Sequence, residues 1–153
     1  MNKLVKGSTT IMALLVCSWC AVVVLGQQQR KSKFDPDGSF WINGNAPDGF
    51  LDFSGINLNA KKIRRLPPAG VQLNSGKAFR FRTLSVTQER FTFNTVVVSN
   101  ISYSFVGKFL RGGVFETAQL DDETPVLEGV LTKYKNGKKV SQASIKFVYF
   151  GGT

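Results

Sequence analysis

Apolar and polar residues alternate along most of the chain after residue 38, and phenylalanine is the most frequent apolar residue in the pattern. The stretch KAFRFRT places Phe79 and Phe81 on one face, and Arg80 and Arg82 fall on the other. A period of two is typical of a half-buried β-strand and not of a helix. The same period recurs in RFTFNTVVV and ISYSFVGKF. These stretches therefore predict β-strands with one apolar face.

Turn signals divide this pattern into about eight or nine short strands. Two of them, PDGSFWI and PDGFLDF, are similar to each other and predict neighbouring strands; the others are RLPPAG, NSG, RGG and DDETP. Evenly spaced short strands with such turns are typical of antiparallel barrels and sandwiches. We therefore predict an all-β fold: an antiparallel barrel of about eight strands, closed or partly open in the manner of calycins, with a β-sandwich as the alternative.

One hairpin is defined well enough to predict its register. The apolar residues of VLEGVLTKY, before the turn, and of VSQASIKFVYF, after it, lie at odd positions. The two apolar faces coincide only if odd residues pair with odd ones, whereas a two-residue turn would pair odd with even. Parity therefore predicts a three-residue loop of Lys135, Asn136 and Gly137, with a bulge at the glycine.

The first 26 residues have the composition of an export signal. Lys3 and Lys6 precede an apolar run of about 15 residues, which is shorter than the roughly 20 that a membrane-spanning helix needs. We therefore predict a signal peptide at 1–26, a flexible basic lead-in at 27–37 and a single all-β domain at 38–153. This predicts an exported protein of the periplasm, envelope or extracellular space, soluble and not embedded in a membrane.

Residue types that are missing exclude several kinds of chemistry. Cys17 and Cys20 fall within the predicted signal, and the chain has no histidine. The predicted domain thus lacks the atoms for disulfides, for zinc sites built from Cys or His, and for Ser-His-Asp triads. We expect no cofactor, no metal and no enzymatic activity, and a carboxylate-based enzyme is the alternative. Its acidic residues would come from Asp52, Glu89, Glu116 and Glu128.

A formal net charge of +10 favours association with phosphate, anionic lipid surfaces or acidic glycans. Two clusters supply much of it, one before the Pro-Pro pair and one at the tip of the predicted hairpin. The alternative for both is a solvated segment that resists association between sheet edges. Nucleic acid is disfavoured as a partner, because the aromatic residues that would stack on bases are required inside the fold. The candidate anion-binding residues are Lys61, Lys62, Arg64, Arg65, Lys133, Lys135, Lys138 and Lys139.

The phenylalanine rows fit two opposite arrangements. In a soluble barrel the rings point inward, where they either line a pocket for a lipid-like small molecule or fill the core. In an outer-membrane barrel they would face lipid, and polar positions such as Arg80 and Ser102 would line the lumen. We expect a soluble exported binding or structural module, with the outer-membrane barrel as the alternative. The candidate pocket or core residues are Phe79, Phe81, Phe91, Phe93, Tyr103, Phe105, Phe109 and Phe147.

Overall fold

The structure, a computed structural model, describes residues 34–58, 69–115, 118, 120 and 123–150, which belong to one compact unit. All regular structure in these residues is β-strand, and none of them forms a helix that could cross a membrane. The predicted signal peptide lies outside the described residues. The strands are β1 (Ser39–Ile42), β2 (Phe53–Asn57), β3 (Gly70–Leu73), β4 (Ala78–Val86), β5 (Phe91–Thr95), β6 (Ile101–Phe109), β7 (Pro125–Lys135) and β8 (Lys138–Phe150).

The eight strands form a closed barrel. Each strand pairs antiparallel with its neighbours in sequence, and β1 also pairs with β8. At this closing seam Phe40 lies opposite Tyr149, and Trp41 lies opposite Val148. Closure removes the unpaired edges that an open sheet would present to other chains. The prediction of an antiparallel barrel of about eight strands is confirmed, and the alternative of a sandwich is wrong.

Aromatic side chains fill the barrel interior. Phe105 is fully buried, and the centroid of its ring lies 5.5 Å from that of Phe91 and 5.7 Å from those of Phe93 and Phe147. Burial of such a ring stabilises the fold by about 1.5–3 kcal/mol. The arginines that alternate with the rings on β4 are exposed on the outer face. The rings therefore point inward, which is the reverse of the orientation that a lipid-facing aromatic surface would require.

Residues 34–37 depart from the expectation of a flexible lead-in. The ring of Phe34 lies 5.1 Å from that of Phe109, in an edge-to-face arrangement. The backbone N–H of Asp35 donates to the carbonyl oxygen of Gly113 at 3.0 Å. These residues are packed and hydrogen-bonded because an aromatic side chain precedes the first strand and reaches the core. The folded part thus begins before residue 38.

The turn between β7 and β8 differs from the prediction. Lys135 pairs with Lys138, so Asn136 and Gly137 alone form the loop. Their φ angles are 52° and 75°, and positive values at both central residues define the type I′ turn whose twist matches that of the flanking strands. The predicted three-residue loop is therefore wrong, because the Asn-Gly pair suits the shorter turn.

A bulge further along the hairpin restores the predicted register. Lys133 pairs with Ser141, whereas the next residue of β7 pairs with Lys139, so Val140 is the extra residue of β8. Between Lys133 and Leu127 odd residues pair with odd ones, as Leu127 does with Phe147. The parity argument thus identified the correct faces but put the extra residue in the loop, whereas it lies in the strand.

Candidate functional site

The predicted pocket or core residues all lie inside the barrel or against its core. Phe81 is partly buried, and the other seven are buried among one another. Two pockets formed by described residues involve the outward side chains of the strands. The candidate sites therefore lie on the outer surface and not among the phenylalanine rows.

The larger of the two pockets crosses the outer face of β6, β7 and β8 and has a volume of about 840 Å³. We call it the outer groove. Each of the three strands contributes two outward side chains, and the segment after β1 and the β4–β5 turn form its rims. The floor residues are Val106, Lys108, Glu128, Val130, Ser144 and Lys146, and the rim residues include Asn43, Asn45, Pro47, Glu89 and Arg90.

Two paired glycines lie in the floor of the outer groove. Gly107 and Gly129 are direct partners in the β6–β7 ladder. A Cβ atom on Gly107 would lie 2.2 Å from the carbonyl oxygen of Glu128, and one on Gly129 would lie 2.5 Å from the ring of Phe105. Only glycine permits the backbones and the ring to approach this closely. The groove floor is therefore backbone at this point, with the aromatic core directly beneath it.

Charged side chains form a row across the groove. Lys108, Glu128 and Lys146 lie opposite one another on consecutive strands. Lys108 Nζ is 3.4 Å from Glu128 Oε1, a surface ion pair of the kind that contributes roughly 0–1 kcal/mol. Arg90 and Glu89 add one charge of each sign from the adjacent turn. Three cations and two anions leave the groove with a net positive charge.

An apolar strip lies beside this charged row. Val106 is 60% exposed, and Val130, its partner in the ladder, is half-buried next to it. Pro47 adds apolar surface from one rim. The outer groove thus offers an apolar strip and cationic side chains to the same ligand.

The smaller pocket, of about 340 Å³, lies on the outer face near the β7–β8 turn. We call it the polar pocket. Asn94 Nδ2 donates to Thr83 Oγ1 at 3.0 Å, and Ser104 Oγ donates to the hydroxyl of Tyr134 at 3.4 Å. None of its described lining residues carries a carboxylate. They are Arg82, Thr83, Asn94, Thr95, Val97, Ser102, Tyr103, Tyr134 and Gly137.

The predicted anion-binding cluster at the hairpin is partly engaged with the protein itself. Lys133 Nζ donates to the carbonyl oxygen of Gly49 at 3.3 Å, and Lys139 Nζ donates to Gln142 Oε1 at 2.9 Å. The other two members, Lys135 and Lys138, are exposed at the turn. This cluster therefore lies at the β7–β8 turn, next to the polar pocket.

The second predicted cluster, Lys61, Lys62, Arg64 and Arg65, lies outside the described residues. Its flanking residues, Leu58 and Ala69, follow β2 and precede β3. In an antiparallel meander these strand ends lie at the opposite end of the barrel from the β7–β8 turn. The described flanks thus give no support to a single basic patch made of both clusters.

The three described candidate carboxylates lie in two places. Asp52 accepts hydrogen bonds from the backbone N–H of Ser75 at 3.2 Å and from its hydroxyl at 3.3 Å, and so joins two turns. Glu89 and Glu128 both line the outer groove, whereas Glu116 lies outside the described residues. Within the described part of the chain, no three acidic, His or Cys side chains are grouped as metal ligands would be.

Tyr103 is the titratable group with the clearest change in acidity. Burial, and secondarily the negative charge of Asp52, raise the pKa of the Tyr103 hydroxyl to about 12. Its ring packs edge-on against Phe53 and Phe79, with centroids 5.7 and 5.1 Å away. Tyr103 therefore stays protonated at physiological pH and acts as a core residue.

The outer groove was not predicted from the sequence, although the sequence contains a signal for it. Val106 and Val130 occupy even positions of β6 and β7, where the alternation calls for polar side chains. The site is marked by two apolar residues on the outer face of paired strands, next to two paired glycines. Comparisons of the chain with protein-family models, with curated proteins and with solved structures find no match.

Proposed function

We propose that the protein is an exported, non-enzymatic binding module that holds a lipid-like molecule with an anionic head in the outer groove. The observation that carries this proposal is the combination of an exposed apolar strip with an excess of cations in one groove of about 840 Å³. Grooves of this volume are in the range that small-molecule ligands occupy. The alternative site for such a ligand, the barrel interior, is occupied by phenylalanine rings.

The apolar part of the ligand would lie along Val106 and Val130. Leaving Val106 60% exposed on a strand forgoes a large part of the roughly 1.5–3 kcal/mol that full burial of such a side chain provides. A hydrocarbon chain laid across both valines would recover part of this free energy. The ligand would also cover the backbone of Gly107 and Gly129, where no side chain stands in its way.

The anionic head would lie at Lys146 or Arg90. Lys108 already has Glu128 as its ionic partner, whereas neither Lys146 nor Arg90 forms an ion pair with another described residue. A head group at either position would gain a charge-assisted hydrogen bond. A cationic head would instead meet the net positive charge of the groove, so the sign of the head group should decide binding.

The proposal can be tested by calorimetric titration of the purified protein with dodecanoate, and with dodecyltrimethylammonium as the probe of opposite charge. We expect dodecanoate to bind and the cationic amphiphile to bind at least tenfold more weakly, a difference of about 1.4 kcal/mol. Val106→Asp and Lys146→Glu should each weaken dodecanoate binding by about tenfold or more. Lys138→Glu is the matched control, because it reverses a lysine on the same strand but outside the groove.

Two results of these titrations would contradict the proposed binding site. No binding of dodecanoate to the unmodified protein would overturn the proposal. So would an equal effect of Lys146→Glu and Lys138→Glu, because binding would then follow the overall charge and not the groove.

A further inference from the structure

The polar pocket shares no lining residue with the outer groove and has a different chemical character. Its lining combines one guanidinium, an amide, several hydroxyls and two tyrosine rings, and its described lining residues include no acid. Its volume of about 340 Å³ is at the lower end of the range for small-ligand sites. These features favour a ligand that is compact, rich in hydrogen-bonding groups and negatively charged.

Arg82 provides the charge. Its side chain is exposed and forms no ion pair or hydrogen bond with another described residue. The guanidinium presents five N–H donors in a planar fork, which matches the oxygens of a carboxylate or sulfate group. An anion in the polar pocket would therefore meet a cation that the protein itself does not neutralise.

Asn94 and Thr83 provide polar groups next to Arg82. The bond from Asn94 Nδ2 to Thr83 Oγ1 uses one amide hydrogen and orients the pair. It leaves the Asn94 carbonyl oxygen as an acceptor and the Thr83 hydroxyl hydrogen as a donor. Such a pair suits a ligand whose hydroxyl groups both donate and accept.

Tyr134 and Val97 provide the apolar part of the lining. Tyr134 accepts a hydrogen bond from Ser104 and keeps its own hydroxyl hydrogen for a ligand. Val97 is 64% exposed at the other side of the pocket. A sugar ring has this same combination of apolar C–H faces and peripheral hydroxyls.

The surroundings favour negative charge as well. Lys139 lies opposite Tyr134 in the β7–β8 ladder, and Lys135 pairs with Lys138 at the adjacent turn. Lysines around a pocket that lacks acids concentrate anions there and raise their association rate.

We propose that the polar pocket binds an acidic sugar unit of a glycan, with Arg82 holding the anionic group and Tyr134 contacting the sugar ring. The shared ligand chemistry is a sugar that carries an oxyanion, either the carboxylate of a uronic acid or a sulfate ester. The three exposed lysines of the turn would contact the neighbouring units of the same glycan.

The test is calorimetric titration of the purified protein with a galacturonate trimer, a sulfated heparin tetrasaccharide and a neutral galactose trimer. We expect an acidic oligosaccharide to bind at least tenfold more tightly than the neutral one, with an affinity that falls as salt is added. The stronger of the two acidic probes identifies the oxyanion. Binding of neither, or equal binding of the neutral sugar, would overturn the proposal.

Arg82 has a matched control on its own strand. Arg82→Gln should remove the preference for the acidic probe, whereas Arg80→Gln removes the same charge from the same exposed face, outside the pocket, and should change affinity less than twofold. Tyr134→Ala should lower the affinity for the acidic probe, and the remaining binding should still depend on salt. Equal losses in the two arginine variants would overturn the proposal, because they would indicate diffuse surface charge. Dodecanoate binding should be unchanged in Arg82→Gln, so this test is independent of the one for the outer groove.

Discussion

Gly107 and Gly129 lie opposite each other in β6 and β7, and the ring of Phe105 occupies the space that a side chain on either would fill. A Cβ atom on Gly129 would lie 2.5 Å from that ring and 2.5 Å from the carbonyl oxygen of Val106. The aromatic core therefore lies directly beneath the floor of the outer groove, because the absence of side chains at Gly107 and Gly129 lets the ring of Phe105 approach the surface.

We expect Gly129→Ala to lower the free energy of unfolding by about 1–3 kcal/mol, the usual cost of overpacking. Urea denaturation followed by intrinsic fluorescence measures the change. Gly112→Ala is the control, because its added Cβ would meet only the exposed, flexible side chain of Gln88, and it should change stability by less than about 0.5 kcal/mol. Equal stabilities of the two variants would contradict the close approach.

The phenylalanine rows predict a contrast between inward and outward rings. Phe105→Ala removes a ring that is 0% exposed, and it should cost about 3–5 kcal/mol of stability. Phe150→Ala removes a ring that is 44% exposed on the outer face and should cost less than about 1 kcal/mol. Thermal and chemical unfolding of both variants check the prediction, and similar losses would contradict the assignment of the rows to the core.

The bulge at Val140 makes a sharper prediction. Deletion of Val140 removes the extra residue of β8, so that Lys139 and Ser141 become consecutive and still lie opposite Tyr134 and Lys133. Ile145 and Phe147 then keep their partners and their inward orientation. We therefore expect the deletion variant to fold, with dispersed amide signals in a proton NMR spectrum, as should the control Val140→Ser, which keeps the residue count at a position that is 51% exposed. Loss of the dispersed signals in the deletion variant alone would contradict the assignment of Val140 as the bulge residue.

Stability at alkaline pH should depend on Tyr103. Because the pKa of Tyr103 rises from 10.0 to about 12 in the folded protein, the folded state holds this proton more tightly than the unfolded state does. The resulting contribution to stability is fully present below pH 10 and is lost as the pH rises from about 10 to about 12.

Tyr103→Phe should therefore flatten the fall in the free energy of unfolding over this pH range, and it should also remove the step near pH 12 from the phenolate absorbance titration. Tyr149→Phe is the comparison, because it also removes one tyrosine hydroxyl from the chain. An unchanged alkaline step in Tyr103→Phe would refute the assignment.

The architecture was predictable because one residue type dominates one face. Phe79, Phe91, Phe93 and Phe105 alternate with polar residues so regularly that the inward face of each strand can be read directly. Parity likewise identified the faces paired across the β7–β8 hairpin. It could not place the extra residue, because a bulge at Val140 and a longer loop satisfy the same count.

The candidate sites were less predictable, because each depends on which strands become neighbours. Val106 and Val130 come together only through the β6–β7 ladder, and Arg82 meets Tyr134 only across several strands of the closed sheet. Charge density along the chain directed attention to the lysines of the turn instead. Those lysines belong to the surroundings of the polar pocket, whereas its lining is supplied mainly by polar residues of β4, β5 and β6.

The closing seam has a consequence for how the chain reaches its fold. Every other ladder joins strands that are consecutive in sequence, whereas β1 must find β8 across nearly the whole domain. The Tyr149 hydroxyl that donates to the carbonyl oxygen of Asp37 at 3.2 Å bridges a separation of 112 residues. Loop-closure entropy opposes such distant contacts most strongly. Ring closure is therefore expected to be the last step of folding, and a strand order that begins at β2 and appends β1 after β8 should also close last, but at the β1–β2 ladder instead.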